Sequence, residues 1–204
     1  VVQLLPIPRE EEITSLLAVS EFNDDTDLLM LTRGGFIKRT RLSAFSNIRS
    51  NGLIAIGLED GDALSWVRLA IQGDSVLIAS RTGMTIHFRL SDDELRPLGR
   101  SARGVRAMNL RKGDSLVSMD VLPVELADQV AASDADDDER GDSAAVEGPW
   151  VLVASASGLG KRVPVTQFRL QRLDKGDRLS EVVLVPPEAE QEDDQDEDAT
   201  AADD

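Results

Sequence analysis

Cysteine and tyrosine are absent from this 204-residue chain, and histidine occurs once, as His87. Without cysteine there are no disulfides and no thiolate metal sites, and a reducing compartment is the default. Without tyrosine there is no tyrosine nucleophile. A histidine-dependent triad has His87 as its sole candidate base, and that residue lies mid-strand, where packing is the expected role. Aromatics are scarce as well: five Phe and two Trp. Most of them recur at strand positions suited to core packing rather than to base stacking. No apolar run reaches the roughly 18 residues of a membrane span, and no signal peptide is visible. A cytoplasmic chain is expected. Its opening VVQLLPIP reads like the middle of a fold, as in an excised domain.

A surplus of positive charge is missing too, since the formal net charge is −16. Such a value argues against a nucleic-acid partner only if the charge is evenly spread. Here it is not. Residues 27–119 carry a net charge of +5 and residues 149–185 a net charge of +3. The acid is concentrated in 120–148 at −9, 186–204 at −10 and 1–26 at −5. Residues 125–148 are small, acidic and turn-rich and read as a disordered insertion. Residues 186–204 begin with a Pro pair and continue as an acidic disordered tail.

What is present is repetition. DLLMLTRGGFIKRTRL (27–42), DSVLIASRTGMTIHFRL (74–90) and WVLVASASGLGKRVPV (150–165) each run apolar, turn at a glycine and resume as an alternating strand. The turn glycines are Gly35, Gly83 and Gly158. A second module, NGLIAIGLEDGDALSWV (51–67), superposes on RGVRAMNLRKGDSLVSM (103–119) at a constant offset of 52 residues. Gly61-Asp62, Gly113-Asp114 and Gly176-Asp177 each precede a strand, where glycine supplies a positive φ and aspartate bonds the turn backbone. A strand-rich unit of about fifty residues predicts an all-β, propeller-like disc. The expected divisions are 1–24, the end of a preceding blade with a strand over 12–19; 25–72 and 73–122, two blades; 123–148, the acidic insertion; 149–185, a shortened blade; and 186–204, the tail. Phe45 to Leu58 has its counterpart in the much shorter Phe168 to Leu173, so the third unit lacks the SNGLIAIG segment. That deletion predicts a third blade short of a strand.

Basic residues recur at fixed places in these units. Lys38-Arg39 and Lys161-Arg162 sit three and four residues after their turn glycines, where the second unit has Ile86-His87. Neighbours in a strand point to opposite faces, so one member of each pair is expected to face outward. Two readings stand: solvated strand faces whose charges guard edges, and a basic stripe around a disc rim that neutralises phosphates without base contacts. Recurrence favours the stripe. SGLGKR (157–162) is a poor phosphate loop, with Ser155 in place of the first glycine and Arg162 where Ser/Thr belongs. The acidic clusters at 134–139 and 192–198 lack calcium-loop spacing.

LMLTRGGFIKRTRLSAF, RSNGLIAIGLEDGDALSWV and RSARGVRAMNLRKGDSLVSM, in that order, resemble the C-terminal domain family of DNA gyrase A subunits. The resemblance spans residues 1–123 and 149–185. It implies a β-pinwheel, here incomplete, whose basic rim wraps double-stranded DNA for a type IIA topoisomerase that introduces negative supercoils with ATP. It implies Arg33, Lys38, Arg39, Arg41, Arg49, Arg81, Arg89, Arg100, Arg103, Arg106, Lys161 and Arg162 as rim contacts. No catalytic residue, cofactor or metal is implied for this chain. The implied partners are duplex DNA, the catalytic core formed by gyrase A, and gyrase B, with a cytoplasmic, chromosome-associated location and no membrane. The family's Gln-[Arg/Lys]-Arg-Gly-Gly-[Arg/Lys]-Gly box does not occur, RSARGVR (100–106) being a degenerate relative. The topoisomerase IV counterpart, a protein-binding propeller and a free-standing domain of the same fold are the competing expectations. The tail is expected either to solubilise the chain or to compete with DNA for the rim.

Overall fold

A computed structural model describes residues 11–47, 52–126, 149–171 and 173. Arg49, most of the acidic insertion and the whole tail lie outside them. The first sheet has the strand order β3-β1-β2-β6, built from β1 (Thr26–Thr32), β2 (Phe36–Arg41), β3 (Leu64–Ile71) and β6 (Val105–Arg106). The second has the order β5-β4-β7, from β4 (Ser75–Ser80), β5 (Thr85–Arg89) and β7 (Leu116–Leu122). The third pairs β8 (Trp150–Ala154) with β9 (Gly160–Pro164). All of these pairings are antiparallel.

The repeat seen in the sequence is a repeat of one hairpin. Gly35, Gly83 and Gly158 take φ values of 87°, 88° and 88°. Their amides donate to the carbonyls of Thr32, Ser80 and Ser155 at 3.1, 3.1 and 3.0 Å. In the first two hairpins the opening strand, an apolar run with no polar face, is the middle of a sheet packed on both sides. Its alternate residues divide between neighbours. Leu29 and Leu31 of β1 join Val76 and Ile78 of β4 in one core cluster between the first two sheets. Met30 packs the other way, on Phe45, Ile56 and Val67. In the second sheet Leu77 turns toward Val163 and Phe168 of the third unit.

The sheets do not follow the sequence units. β6 belongs to the second unit yet pairs with β2 of the first, Phe36 opposite Arg106 and Ile37 opposite Val105. This is strand exchange between blades. It demands glycine at Gly104, where φ is +100° and a Cβ would stand 2.3 Å from the Ile37 carbonyl oxygen. Because the exchanged segment is donated backwards, the deletion in the third unit is felt in the second sheet, which has three strands among the described residues against four in the first. Among the described residues the crossing keeps the Gln171 N–H to His87 carbonyl bond at 2.7 Å, matching Leu98 N–H to the Arg39 carbonyl at 2.8 Å, and a bond from Leu173 N–H to Glu94 Oε2 at 2.8 Å. Residues 12–19, expected as a strand, join no sheet. Leu17 packs on the Met30 cluster while Leu16 is exposed.

Candidate nucleic-acid interface

The Gly-Asp loops are what hold the hairpin turns in place. Asp62 Oδ1 accepts the Gly34 and Ala63 amides at 2.8 Å each. One repeat later, Asp114 Oδ1 accepts those of Thr82 and Ser115 at 3.2 and 2.8 Å. The Thr82 hydroxyl adds a bond to Asp114 Oδ2 at 2.6 Å. The Arg33 and Arg81 amides complete the pattern on the carbonyls of Ala63 and Ser115, both at 2.8 Å. Slight burial works against the Asp114 carboxylate, but these bonds, with one from Ser80, outweigh it and hold its pKa below the ordinary value. Each of the first two units therefore presents a braced turn with an exposed arginine, Arg33 or Arg81, beside a Gly-Asp loop.

Two clusters result. In the first, Arg103 and Arg106 both stack on one ring, their guanidinium carbons 4.4 and 4.5 Å from the Phe36 centroid. Both arginines are exposed, and Arg103 is ion-paired to Glu59. Arg33, Phe36 and Arg106 share a cleft of about 420 Å³ with Glu59, Asp60 and Asp62. In the second cluster, Arg81 donates to the Gly113 carbonyl at 2.7 Å beside exposed Arg111 and Lys112. Arg111 and Lys112 are additions to the residues implied by the resemblance. The 52-residue offset places them on Glu59 and Asp60. On the third unit, Lys161 and Arg162 are exposed on β9, with Arg162 4.2 Å over the Trp150 ring. Arg41, Arg89 and Arg100 are half-buried, Arg41 reaching the Asp24 carbonyl at 3.0 Å and Asp27 at 3.4 Å.

Lys38 and Arg39 are corrections. Neither faces outward: both side chains are fully buried. The alternation rule assumes one solvated face, whereas β2 lies between β1 and β6 and is covered on both sides. Arg39 binds Asp27, Asp92, Gln72 and the Leu95 carbonyl. Its counterpart His87 is buried too, with Nδ1 2.7 Å from the Phe168 carbonyl oxygen. Arg39 and His87 thus do one job, reaching from β2 or β5 to a carbonyl of the following unit.

Lys38 Nζ donates to the carbonyls of Ala55, Gly99 and Arg100. Burial, and secondarily the Arg100 charge, push its pKa from 10.5 down to about 8. Between those values the unfolded chain keeps a proton that the folded chain has released, so stability rises with pH. The unfolding free energy of the wild type minus that of Lys38→Met is expected to grow by about 3 kcal/mol from pH 8 to pH 10.5. A difference that stays flat in paired denaturant titrations would show that the Lys38 pKa is not depressed.

No group of metal-binding side chains occurs among the described residues, and no helix there is long and apolar enough to cross a membrane. Antiparallel sheets that exchange strands, with braced basic turns repeated from unit to unit, define a propeller-like repeat domain. The chain belongs to the family described as DNA gyrase C-terminal domain, β-propeller, which matches residues 26–70, 74–123 and 149–185. It is 56% identical over 180 residues to the DNA gyrase A subunit of Synechocystis sp., covering 84% of this chain and 21% of that protein. It is 40% identical over 199 residues to the chloroplastic/mitochondrial DNA gyrase A subunit of Arabidopsis thaliana, covering 90% and 20%. The chain thus spans about a fifth of the length of these curated relatives. Two solved structures share the fold at 24% identity. They are a DNA gyrase A C-terminal domain (TM-score 0.64, covering 86% of this chain and 50% of that one) and a topoisomerase IV C-terminal domain (0.65, 84% and 46%).

Proposed function

We propose that this chain is a non-catalytic duplex-binding and wrapping module. In the whole enzyme it would work with the catalytic core formed by gyrase A and with gyrase B, in the cytoplasm and on the chromosome. There it would guide a bent duplex toward ATP-dependent strand passage that introduces negative supercoils. The observation that carries this reading is the reuse of one braced turn to present two exposed basic clusters, Arg33 with Arg103 and Arg106, and Arg81 with Arg111 and Lys112. Arg41, Arg49, Arg89, Arg100, Lys161 and Arg162 extend the proposed surface, while buried Lys38 and Arg39 are removed from direct contact. Bending 20–30 base pairs through 40–90° costs on the order of 1–6 kcal/mol, which spaced phosphate contacts along a curved edge can offset without reading sequence. The same rim in a topoisomerase IV would bind duplex similarly, and a supercoiling assay on the complete enzyme separates the two.

The test is duplex affinity across a salt titration. A steep negative slope with little sequence preference is expected. Lys112→Ala should lower that slope by about 0.9 and weaken binding at 50 mM salt by about tenfold. Salt-independent binding, or none by the folded chain, would contradict the reading.

A further inference from the structure

We infer that Lys38 is a positioning residue of the duplex-binding surface just proposed: its buried ammonium clamps the 99–103 loop to β2 and thereby sets Arg100 and Arg103 in place. The inference rests on that functional reading for its consequence and on the geometry alone for its cause.

An ammonium offers three donors, and a buried one is tolerated where all three are used. Lys38 uses them on the carbonyls of Ala55, Gly99 and Arg100, the Gly99 bond measuring 3.2 Å. These acceptors come from two segments that are remote in sequence, one 17 residues away and one 61–62 residues away. The same two segments touch at Gly57, whose amide donates to the Ala102 carbonyl at 3.0 Å. A Cβ at Gly57 would come within 2.7 Å of the Ser101 carbonyl oxygen. Lys38 is therefore a side-chain rivet through a closely packed crossing of three stretches of chain. Immediately beyond it lie Arg103, stacked on Phe36, and Gly104, pressed against Ile37.

The blade itself does not require lysine here. The equivalent residue of the second unit is Ile86, in the same register of the same hairpin. What differs is the segment that crosses behind the strand. Behind Lys38 runs the full loop RPLGRSARGVR (96–106), whereas the third unit, which follows Ile86, has lost the matching stretch. Between these two units the buried lysine accompanies the loop; the equivalent Lys161 of the third hairpin is exposed. Arg100 is held near enough to Lys38 for the two charges to repel, a position a loosely tethered loop would leave. The carbonyl bonds hold it there.

The experiment compares the whole chain with Lys38→Met, Lys38→Gln, Arg100→Ala/Arg103→Ala and the combination of Lys38→Met with that pair. Hydrogen exchange of residues 99–103 and affinity for a mixed-sequence duplex of about 40 base pairs across salt are read on each. Faster exchange at 99–103 is expected in folded Lys38→Met, with a salt slope smaller by about 1 and binding at 50 mM salt weaker by about tenfold. In the Arg100→Ala/Arg103→Ala background, adding Lys38→Met should change neither slope nor affinity. Unchanged exchange, an unchanged slope, or a loss that adds in full to that of the arginine pair overturns the inference. So does a failure of both Lys38→Met and Lys38→Gln to fold, which would make Lys38 a requirement of the sheet. If the wild type binds no duplex, the functional reading falls on its own, and the exchange rates still decide whether the clamp exists.

Discussion

Arg39→Ala is expected to destabilise the folded chain by about 3–5 kcal/mol, the cost of breaking a buried ion pair by removing one partner. The guanidinium is fully buried and makes four hydrogen bonds. Nε donates to Asp27 Oδ2 at 2.6 Å, one terminal nitrogen to Asp92 at 2.9 Å and the Leu95 carbonyl at 3.2 Å, and the other to Gln72 at 2.8 Å. Asp27 is as deeply buried as its partner. Its Oδ1 has no hydrogen-bond partner among the described residues, and its remaining cation, Arg41, is 3.4 Å away and partly solvated. Truncation would strand a carboxylate in the interior and release the 92–95 turn of the second unit from the first sheet. Arg39→Ala combined with Asp27→Asn should recover part of the loss, since the stranded charge is then gone. Urea unfolding measures both. A cost below about 1 kcal/mol for Arg39→Ala would mean the pair is not closed in solution. The salt slope of duplex binding by any folded Arg39 variant should match the wild type, because a buried guanidinium neutralises no phosphate.

The contrast between Arg39 and Arg162 shows where sequence reading stops. Both stand four residues after a turn glycine in equivalent hairpins, and one is interior while the other is exposed. The hairpins were legible because turn glycines, Gly-Asp loops and apolar runs are local signals that repetition reinforces. Strand exchange has no local signal, since pairing β6 with β2 joins Ile37 to Val105, far apart along the chain. That pairing, with a covered face on either side, is what removes Lys38 and Arg39 from solvent. The strand expected over 12–19 failed for the same reason in reverse: its apolar residues have the right composition, but a strand exists only where a partner edge meets it. Arg111 and Lys112 were hidden by their place in the repeat. They fall in a Gly-Asp loop whose equivalent carries Glu59 and Asp60, so no basic pattern recurs there to mark them.

Those loops give the second large effect. Glu59→Arg/Asp60→Lys, which gives the first Gly-Asp loop the charges of Arg111 and Lys112, is expected to tighten duplex binding on the order of a hundredfold at 50 mM salt. Two added phosphate neutralisations should steepen the salt slope by about 1.8, and affinities near 1 M salt should converge on the wild type. Arg103 would contribute further, because its guanidinium, now engaged by Glu59, is released toward phosphate. The substitutions leave the brace intact: Asp62, not Glu59 or Asp60, accepts the Gly34 amide. Both replaced residues are exposed, and the pair broken is half-solvated at 48% and 50%, so stability should move by no more than about 1 kcal/mol. Fluorescence anisotropy on a labelled duplex at roughly 50, 100 and 200 mM salt decides the outcome. Unchanged affinity with the fold preserved would place the first Gly-Asp loop off the path of the duplex. The Phe36 arginine pair would then have to be reached from its far side, beyond the carboxylates that now share its cleft.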